Sequence, residues 1–266
     1  MRFSVLMAVY FGDHSNCLAD ALSSLCHQTR FPDEVVLVED GPIPLPLSEV
    51  IDHFRKRLNI KSIQLKENSG LAIALNTGLA CCMYDLVARM DSDDISLPDR
   101  FAKQIAFMES HPEIAVSSAS LQEFDDSGNV FSSRVLPLNH NDLISFAKLR
   151  SPISHAVAIF RKEAVMGVGG YPLFRRSQDV ALWSTLIMQG YKLANLPDVL
   201  YRVRANSAFM ARSGLRNFKF EYAVVRYQYR IGFLTYSEFL KSVSVRFGLA
   251  VMPQWLKQYA YKYSRI

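Results

Sequence analysis

Cysteine is scarce in this chain, with four in 266 residues, and Cys17, Cys26, Cys81 and Cys82 lack the paired spacing of a metal-binding framework. Two of them fall on the apolar face of a predicted helix, so buried free thiols in a reducing compartment are expected. Also missing is any uncharged apolar stretch of the roughly 18–20 residues that a membrane span requires. The early run over residues 3–11 is too short and too strand-like for a signal peptide, and the expected location is the cytoplasm. Acidic residues nearly vanish from the end of the chain. Residues 205–266 hold Glu221 and Glu238 against ten Lys and Arg, whereas residues 1–204 hold 23 acidic against 20 basic side chains. No nucleic-acid reader motif accompanies that basic charge, which argues against a nucleic-acid partner. Low-complexity linkers and internal repeats are absent as well. With half its residues apolar, the chain has enough material for one large domain, or one domain with an appendage.

What is present is an alternation of buried-strand and helix patterns. Residues 3–10 and 35–38 read as strands with a helix between them, on which Leu18, Ala21, Leu22, Leu25 and Cys26 fall at helical spacing. A helix over 48–58, a strand over 60–65, a helix over 71–81 and a strand over 86–90 continue the series, which implies a parallel sheet. Ligands of such sheets bind outside the carboxyl ends of the strands. Here those ends carry Tyr10, then Glu39-Asp40-Gly41, then Asp91-Ser92-Asp93-Asp94. Crowded carboxylates repel one another unless a cation lies among them, and hard oxygen donors suit Mg²⁺ or Mn²⁺ completed by a substrate's phosphates. Metal-assisted nucleotide chemistry is the expectation; a solvated acidic turn before the helix after Pro98 is the plainer alternative.

Further along, residues 100–110 read as a helix, 114–121 as an extended segment leading into a turn at 125–129, and 156–160 as a short strand. A Gly-rich loop at Val168-Gly169-Gly170-Tyr171, a helix over 179–189 and an extended stretch over 193–204 complete this part. Composition turns basic and aromatic near Asn206, which marks a domain boundary.

Ser4-Val-Leu-Met-Ala-Val-Tyr10, Val38-Glu-Asp-Gly41, Asn68-Ser-Gly-Leu-Ala-Ile-Ala-Leu-Asn-Thr-Gly78, Ala88-Arg-Met-Asp-Ser-Asp-Asp94, Gly169-Gly-Tyr171 and Gln178-Asp-Val-Ala-Leu-Trp183 occur in an order that resembles glycosyltransferase family 2. The resemblance covers about residues 3–204. It implies an α/β GT-A fold, Rossmann-like with a mostly parallel central sheet, divided into a nucleotide-sugar-binding half (1–100) and an acceptor-binding half (101–204). Ala8, Val9, Tyr10, Glu39 and Asp40 are implied to hold base and ribose, with Glu39-Asp40 standing where many members have two Asp. Asn68, Gly70 and Asn76 match the nucleotide-side helix start, and Leu75 occupies a position that is often Arg; Arg89 is either a partial substitute or a strand-end Arg paired with Asp91. Asp91, Ser92 and Asp93 resemble the Asp-any-Asp motif, Asp91 toward ribose and metal and Asp93 toward the Mn²⁺ or Mg²⁺ bridging the donor diphosphate, with Asp94 in support. Asp179, in a Gln-Asp variant of the commoner Glu-Asp, is the implied catalytic base. His155, Gly170, Tyr171, Trp183 and Arg204 are assigned to acceptor or diphosphate, Arg204 replacing a His of many relatives.

Residues 205–266 lie outside the resemblance. Leu215, Phe218, Tyr222, Val225 and Tyr229 share one helical face with Arg216, Lys219, Arg226 and Arg230 elsewhere. Trp255, Tyr259, Tyr261 and Tyr263 alternate with Lys257, Lys262 and Arg265 farther on. This C-terminal helical region suits an anionic membrane interface, or an apolar face packed on the catalytic domain. The resemblance implies an inverting, metal-dependent transfer from a UDP-sugar to a growing glycan and, if the C-terminal region binds membrane, a polyprenyl-diphosphate-linked oligosaccharide of O-antigen or exopolysaccharide assembly as acceptor. The rivals are a sugar-nucleotide pyrophosphorylase, whose phosphate loop Tyr10-Phe11-Gly12-Asp13 lacks, and a non-catalytic membrane-peripheral assembly protein.

Overall fold

The computed structural model describes residues 1–204 and 215–252. Phe3–Val9 (β1), Glu34–Glu39 (β2), Ile60–Gln64 (β3) and Leu86–Arg89 (β4) pair in parallel in the order β3-β2-β1-β4. Their near-continuous apolar runs follow from burial on both faces. Val5, Met7, Val35 and Leu37 face one core with Ser15–Cys26 (α1), Leu45–Phe54 (α2) and Arg100–Ser110 (α4). Leu6, Val36 and Val38 face the other with Leu71–Cys81 (α3) and Gln178–Met188 (α7). Gly78 lets α3 lie close to the sheet, since a Cβ there would fall 2.5 Å from Leu6 Cδ1 and 2.6 Å from Val38 Cγ2.

The second half of the sheet mixes directions. Ile159–Arg161 (β8) runs antiparallel to β4, and Ile114–Phe124 (β6) runs antiparallel to β8. Lys192–Arg204 (β9) lies parallel to β6, with Ile95–Ser96 (β5) on its other edge. The expected turn at 125–129 joins β6 to Val130–Arg134 (β7): Gly128 takes φ +84°, and Asp125 Oδ1 accepts from the Ser127 and Asn129 amides at 2.9 Å.

Helices α3 and α4 match their expected limits, while α2 starts at Leu45 instead of 48 and ends at Phe54 instead of 58. Pro46 in its first turn supplies a φ already suited to helix initiation. The strand expected over 156–160 divides into a 3₁₀ turn, His155–Val157, and β8. His140–Ala147 (α5), Lys162–Gly167 (α6) and β5 were not anticipated.

Leu215–Arg230 (α8) and Tyr236–Val251 (α9) form a helical pair that packs on the α/β body. Thr185 Oγ1 and Tyr227 Oη lie 2.8 Å apart, Gln228 Nε2 donates to Ser184 Oγ at 2.7 Å, and Val225 is buried with Ala147, Phe233 and Leu234. Lys148 pairs with Glu238, whose carboxylate also completes a capping box with Thr235. The single apolar face expected for α8 is divided: Val225 points into the body, whereas Tyr222 and Tyr229 are exposed and contact Phe239 of α9. Trp255, Tyr259, Tyr261, Tyr263, Lys257, Lys262 and Arg265 lie outside the described residues. No helix among the described residues is long and apolar enough to cross a membrane.

All four cysteines are free. Cys26 and Cys82 are buried, but Cys17 and Cys81 are half-buried where full burial was expected. Burial, reinforced by Glu34, pushes the Cys82 thiol up to about 12.

Candidate active site

A cleft of about 530 Å³ opens at the carboxyl ends of β1, β2 and β4. Ala8, Val9 and Tyr10 form one wall, Asp40, Asn68 and Gly70 a second, and Arg89 with Asp91 through Asp94 the third; Arg204 closes the rim. Most of the donor-side positions named from sequence thus converge. Glu39 does not. Strand alternation turns its side chain to the other face of the sheet, where it accepts from Gln64 Nε2 at 3.0 Å beside a separate shallow groove. Asp40 is the cleft carboxylate, and its oxygens accept from the Ser69 amide at 2.7 Å and the Gly70 amide at 3.0 Å. Gly41 at φ +84° is required there, because a Cβ would fall 2.6 Å from the Asn68 nitrogen.

Asn76 also stands apart from the cleft. Its side chain bridges the Tyr171 backbone, donating to the carbonyl at 2.9 Å and accepting from the amide at 2.7 Å. Gly170, at φ +78°, leaves room for it: an added Cβ would meet Asn76 Oδ1 at 2.5 Å. Asn76 therefore holds the Gly-Gly-Tyr loop, and Leu75 beside it is fully buried in the core.

The acidic turn is electrostatically divided. Burial works to raise the Asp91 pKa, but the ion pair with Arg89 outweighs it and holds the carboxyl below its ordinary value. Asp93 is pushed up to about 6 by burial and by repulsion from Asp91 and Asp13. Asp94, almost completely buried near Asp91 and Asp93, is held well above its ordinary value by burial and by those two charges, and accepts from the Arg204 amide at 2.9 Å. Asp13, which sequence reasoning missed as a site residue, lies in the same cluster; burial raises its pKa, and Ser92 Oγ donates to it at 2.9 Å. Its sequence signal is only a carboxylate three residues beyond Tyr10. These hard oxygen donors fit Mg²⁺ or Mn²⁺. No group of three or more His, Cys, Asp or Glu among the described residues is drawn together tightly enough to enclose a cation. The donor set therefore suits an ion that takes one or two carboxylates and completes its shell with phosphate and water.

Arg89 and Arg100 counter this negative charge from beneath. Arg89 is buried with Nε and Nη1 unpartnered, and Arg100, also buried, donates to the Arg89 carbonyl at 2.6 Å and lies 4.8 Å from the Tyr201 ring centre. Arg89 pairs with Asp91, as the strand-end alternative had it. Arg204 does not present a free fork to a diphosphate either. Its Nε donates to the Asp93 carbonyl at 3.1 Å, Nη2 to Asp20 at 2.9 Å, and Nη1 pairs with Asp126 at 3.5 Å. It is a clamp on the acidic turn.

Of the residues assigned from sequence to acceptor or diphosphate, His155 and Tyr171 meet, with Nε2 and Oη 3.1 Å apart. Burial, then the Arg89 charge, push the imidazole down to about 3, so His155 is neutral at physiological pH. The Tyr171 hydroxyl is fully buried, and burial raises its pKa. Asp179 stands in the first turn of α7, its pKa raised chiefly by burial. Ser177, just before the helix, takes φ +55°, the left-handed region, and its side chain makes no cap. Trp183 is fully buried, its ring 6.2 Å from that of His155, and offers no face for a sugar.

The family profile described as "Glycosyl transferase family 2" matches residues 4–178. Among similar proteins, the "Amylovoran biosynthesis glycosyltransferase AmsE" of Erwinia amylovora is 38% identical over 99% of both chains. The "UDP-Gal:alpha-D-GlcNAc-diphosphoundecaprenol beta-1,3-galactosyltransferase" of Escherichia coli is 35% identical over 98% of this chain and 95% of its own. Of solved structures, S. aureus TarS 1-349 in complex with UDP-GlcNAc superposes with a TM-score of 0.69 at 19% identity, covering 93% of this chain and 72% of that one. The mannosyltransferase PcManGT from Pyrobaculum calidifontis, in complex with GDP-Man and Mn²⁺, gives 0.68 at 18% identity, covering 98% and 73%. The architecture is the GT-A fold, and the chain belongs to glycosyltransferase family 2.

Proposed function

We propose that this glycosyltransferase moves a sugar from a UDP-linked donor to a hydroxyl of a polyprenyl-diphosphate-linked glycan, with inversion at the anomeric carbon. The observation that carries the reading is the carboxylate-rich cleft at the strand ends, with Asp40 on one wall and Asp91 and Asp93 on another. The relative from Escherichia coli, named for a UDP-galactose donor and a diphosphoundecaprenol acceptor, supports both substrate classes.

Ala8, Val9 and Tyr10 receive the base, and Asp40 accepts from ribose or uracil groups while holding the Ser69 and Gly70 amides. A divalent cation bound at Asp91 and Asp93 would neutralise charge developing on the departing UDP, several kcal/mol of assistance in this class of reaction. Asp179 takes the proton of the acceptor hydroxyl as that oxygen bonds to the anomeric carbon and the bond to the UDP oxygen breaks on the opposite face. Its burial-raised pKa strengthens it as a base. Neutral His155 orients the Tyr171 hydroxyl, keeping the acceptor loop in register with Asp91.

The assignment to an acceptor carried in lipid accords with the outer side of α8 and α9, where Leu240, Val245, Leu249 and Val251 are exposed beside Lys241. This face rests on the anionic inner surface of the cell membrane.

Calorimetric titration with UDP and GDP, each with and without Mn²⁺, tests the donor assignment: Mn²⁺-dependent UDP binding is expected, and a preference for GDP refutes it. Asp179→Asn should lower kcat by about a hundredfold or more with UDP affinity retained. Unchanged transfer would remove Asp179 from the mechanism.

A further inference from the structure

A second groove of about 380 Å³ adjoins the donor cleft and shares Asn68, Gly70 and Leu71 with it. Its far wall is the segment between the Gly-Gly-Tyr loop and Asp179, namely Leu173, Phe174 and Arg175. Apolar side chains stand open to solvent along it: Leu173 is 72% exposed and Ile73 39%. Such exposure in a concave site marks a surface for an apolar ligand.

The charge of the groove is the reverse of the cleft beside it. Among the described residues no side chain lining it is acidic, and Arg175 is the one charged side chain there. The cleft, by contrast, carries Asp13, Asp40, Asp91, Asp93 and Asp94. A diphosphate entering the cleft needs a cation, whereas one in the groove meets a guanidinium. The backbone amides of Ser69 and Gly70 are already engaged by Asp40, so the positive charge on offer is that of Arg175.

The C-terminal helices border this wall. Phe174 packs edge-on against Tyr227 at 5.4 Å, and the guanidinium carbons of Arg175 and Arg176 lie 5.9 and 5.7 Å from the Phe220 ring centre. Arg176 Nη1 also donates to Asn217 Oδ1.

We propose that this groove receives the isoprenyl-diphosphate end of the acceptor, the diphosphate on Arg175 and the first isoprene units along Leu173, Leu71 and Ile73. The inference rests on the lipid-linked reading above and adds where that end sits. Because the groove adjoins the cleft, it favours acceptors with a short glycan between the reacting hydroxyl and the diphosphate, so the reaction that supplies the substrate is an early sugar-phosphate transfer to a polyprenyl phosphate.

The test is titration of the full chain, saturated with UDP and Mn²⁺, with farnesyl diphosphate and with farnesol. Farnesyl diphosphate is expected to bind without displacing UDP, and farnesol at least tenfold more weakly. Arg175→Glu and Leu173→Asp, both exposed positions, should each weaken farnesyl diphosphate about tenfold or more with UDP affinity and circular dichroism unchanged, and Arg175→Lys should restore most of the affinity. Wild-type affinity in both Arg175→Glu and Leu173→Asp, or displacement of UDP by farnesyl diphosphate, overturns the groove assignment while leaving the donor reading intact. Failure of the wild-type chain to bind UDP at all overturns both.

Discussion

Ser92 Oγ donates to Asp13 Oδ2 at 2.9 Å, and the same carboxylate oxygen accepts from the Tyr10 amide at 3.1 Å. The residue between the two motif aspartates is thereby fastened to the loop that follows the first strand. The loop after β1 and the acidic turn after β4 thus meet at one half-buried carboxylate.

Removing that charge should be felt at the cation. Asp13→Asn keeps the shape of the side chain but deletes a negative charge near Asp91 and Asp93. Mn²⁺-dependent UDP affinity is expected to fall about tenfold or more, in the range of one charge-assisted hydrogen bond of about 1.5–3 kcal/mol. Calorimetry checks this, and an unchanged affinity would make Asp13 a purely architectural residue.

The raised Asp93 pKa predicts a pH dependence. Its folded value of about 6 exceeds the ordinary 3.8, so between those values the folded chain binds a proton that the unfolded chain does not. The stability due to that proton is present at low pH and lost as pH rises through about 6. Mn²⁺ competes for the same carboxylate. In the presence of UDP, the Mn²⁺-induced increase in Tm should therefore be largest near pH 7.5 and shrink below about pH 6; Asp93→Asn should lose most of it at every pH.

Trp183 serves the core and not the sugar. Trp183→Ala is expected to cost about 3–5 kcal/mol in urea unfolding. Trp183→Phe, retaining much of the ring volume, should keep UDP affinity within about twofold, since a buried side chain contributes to binding only through packing. A transfer defect in Trp183→Phe without loss of stability would restore the sugar-stacking role.

On the outer face of α9, Val245 and Leu249 are 47% exposed. Val245→Glu with Leu249→Glu should reduce sedimentation with vesicles containing phosphatidylglycerol about tenfold or more, through lost apolar contact and added repulsion, with Tm unchanged. Wild-type sedimentation by the double variant would move membrane contact away from this face.

Much of this architecture is written locally. The periodic Leu and Ala of α3 and the helix after Pro98 set their own limits, and the apolar strands announce a parallel half-sheet because both of their faces are covered. The acidic turn is equally plain, since charge at the end of a buried strand has few bland explanations. What escaped reading depends on distant partners. Arg204 is engaged by Asp20 and Asp126, far away in sequence, and the short helices α5 and α6 are too brief to carry a periodic signal. Trp183 lies on a helix buried on several sides, where apolar spacing does not reveal which face meets the cleft. Strand alternation alone separates Glu39 from Asp40, which a period-two reading carried one residue past the strand would have shown.

The junction of Asp40, Gly41 and Asn68 bears on any attempt to alter the donor. Gly41 leaves no space beside Asn68, and Asp40 accepts from the Ser69 and Gly70 amides, so the turn after β2 and the loop before α3 form one interlocked unit. Grafting either segment alone from a relative with a different nucleotide preference would create a mismatch at the seam. Residues 39–41 and 67–70 would have to be exchanged together for nucleotide preference to be transplanted with the scaffold intact.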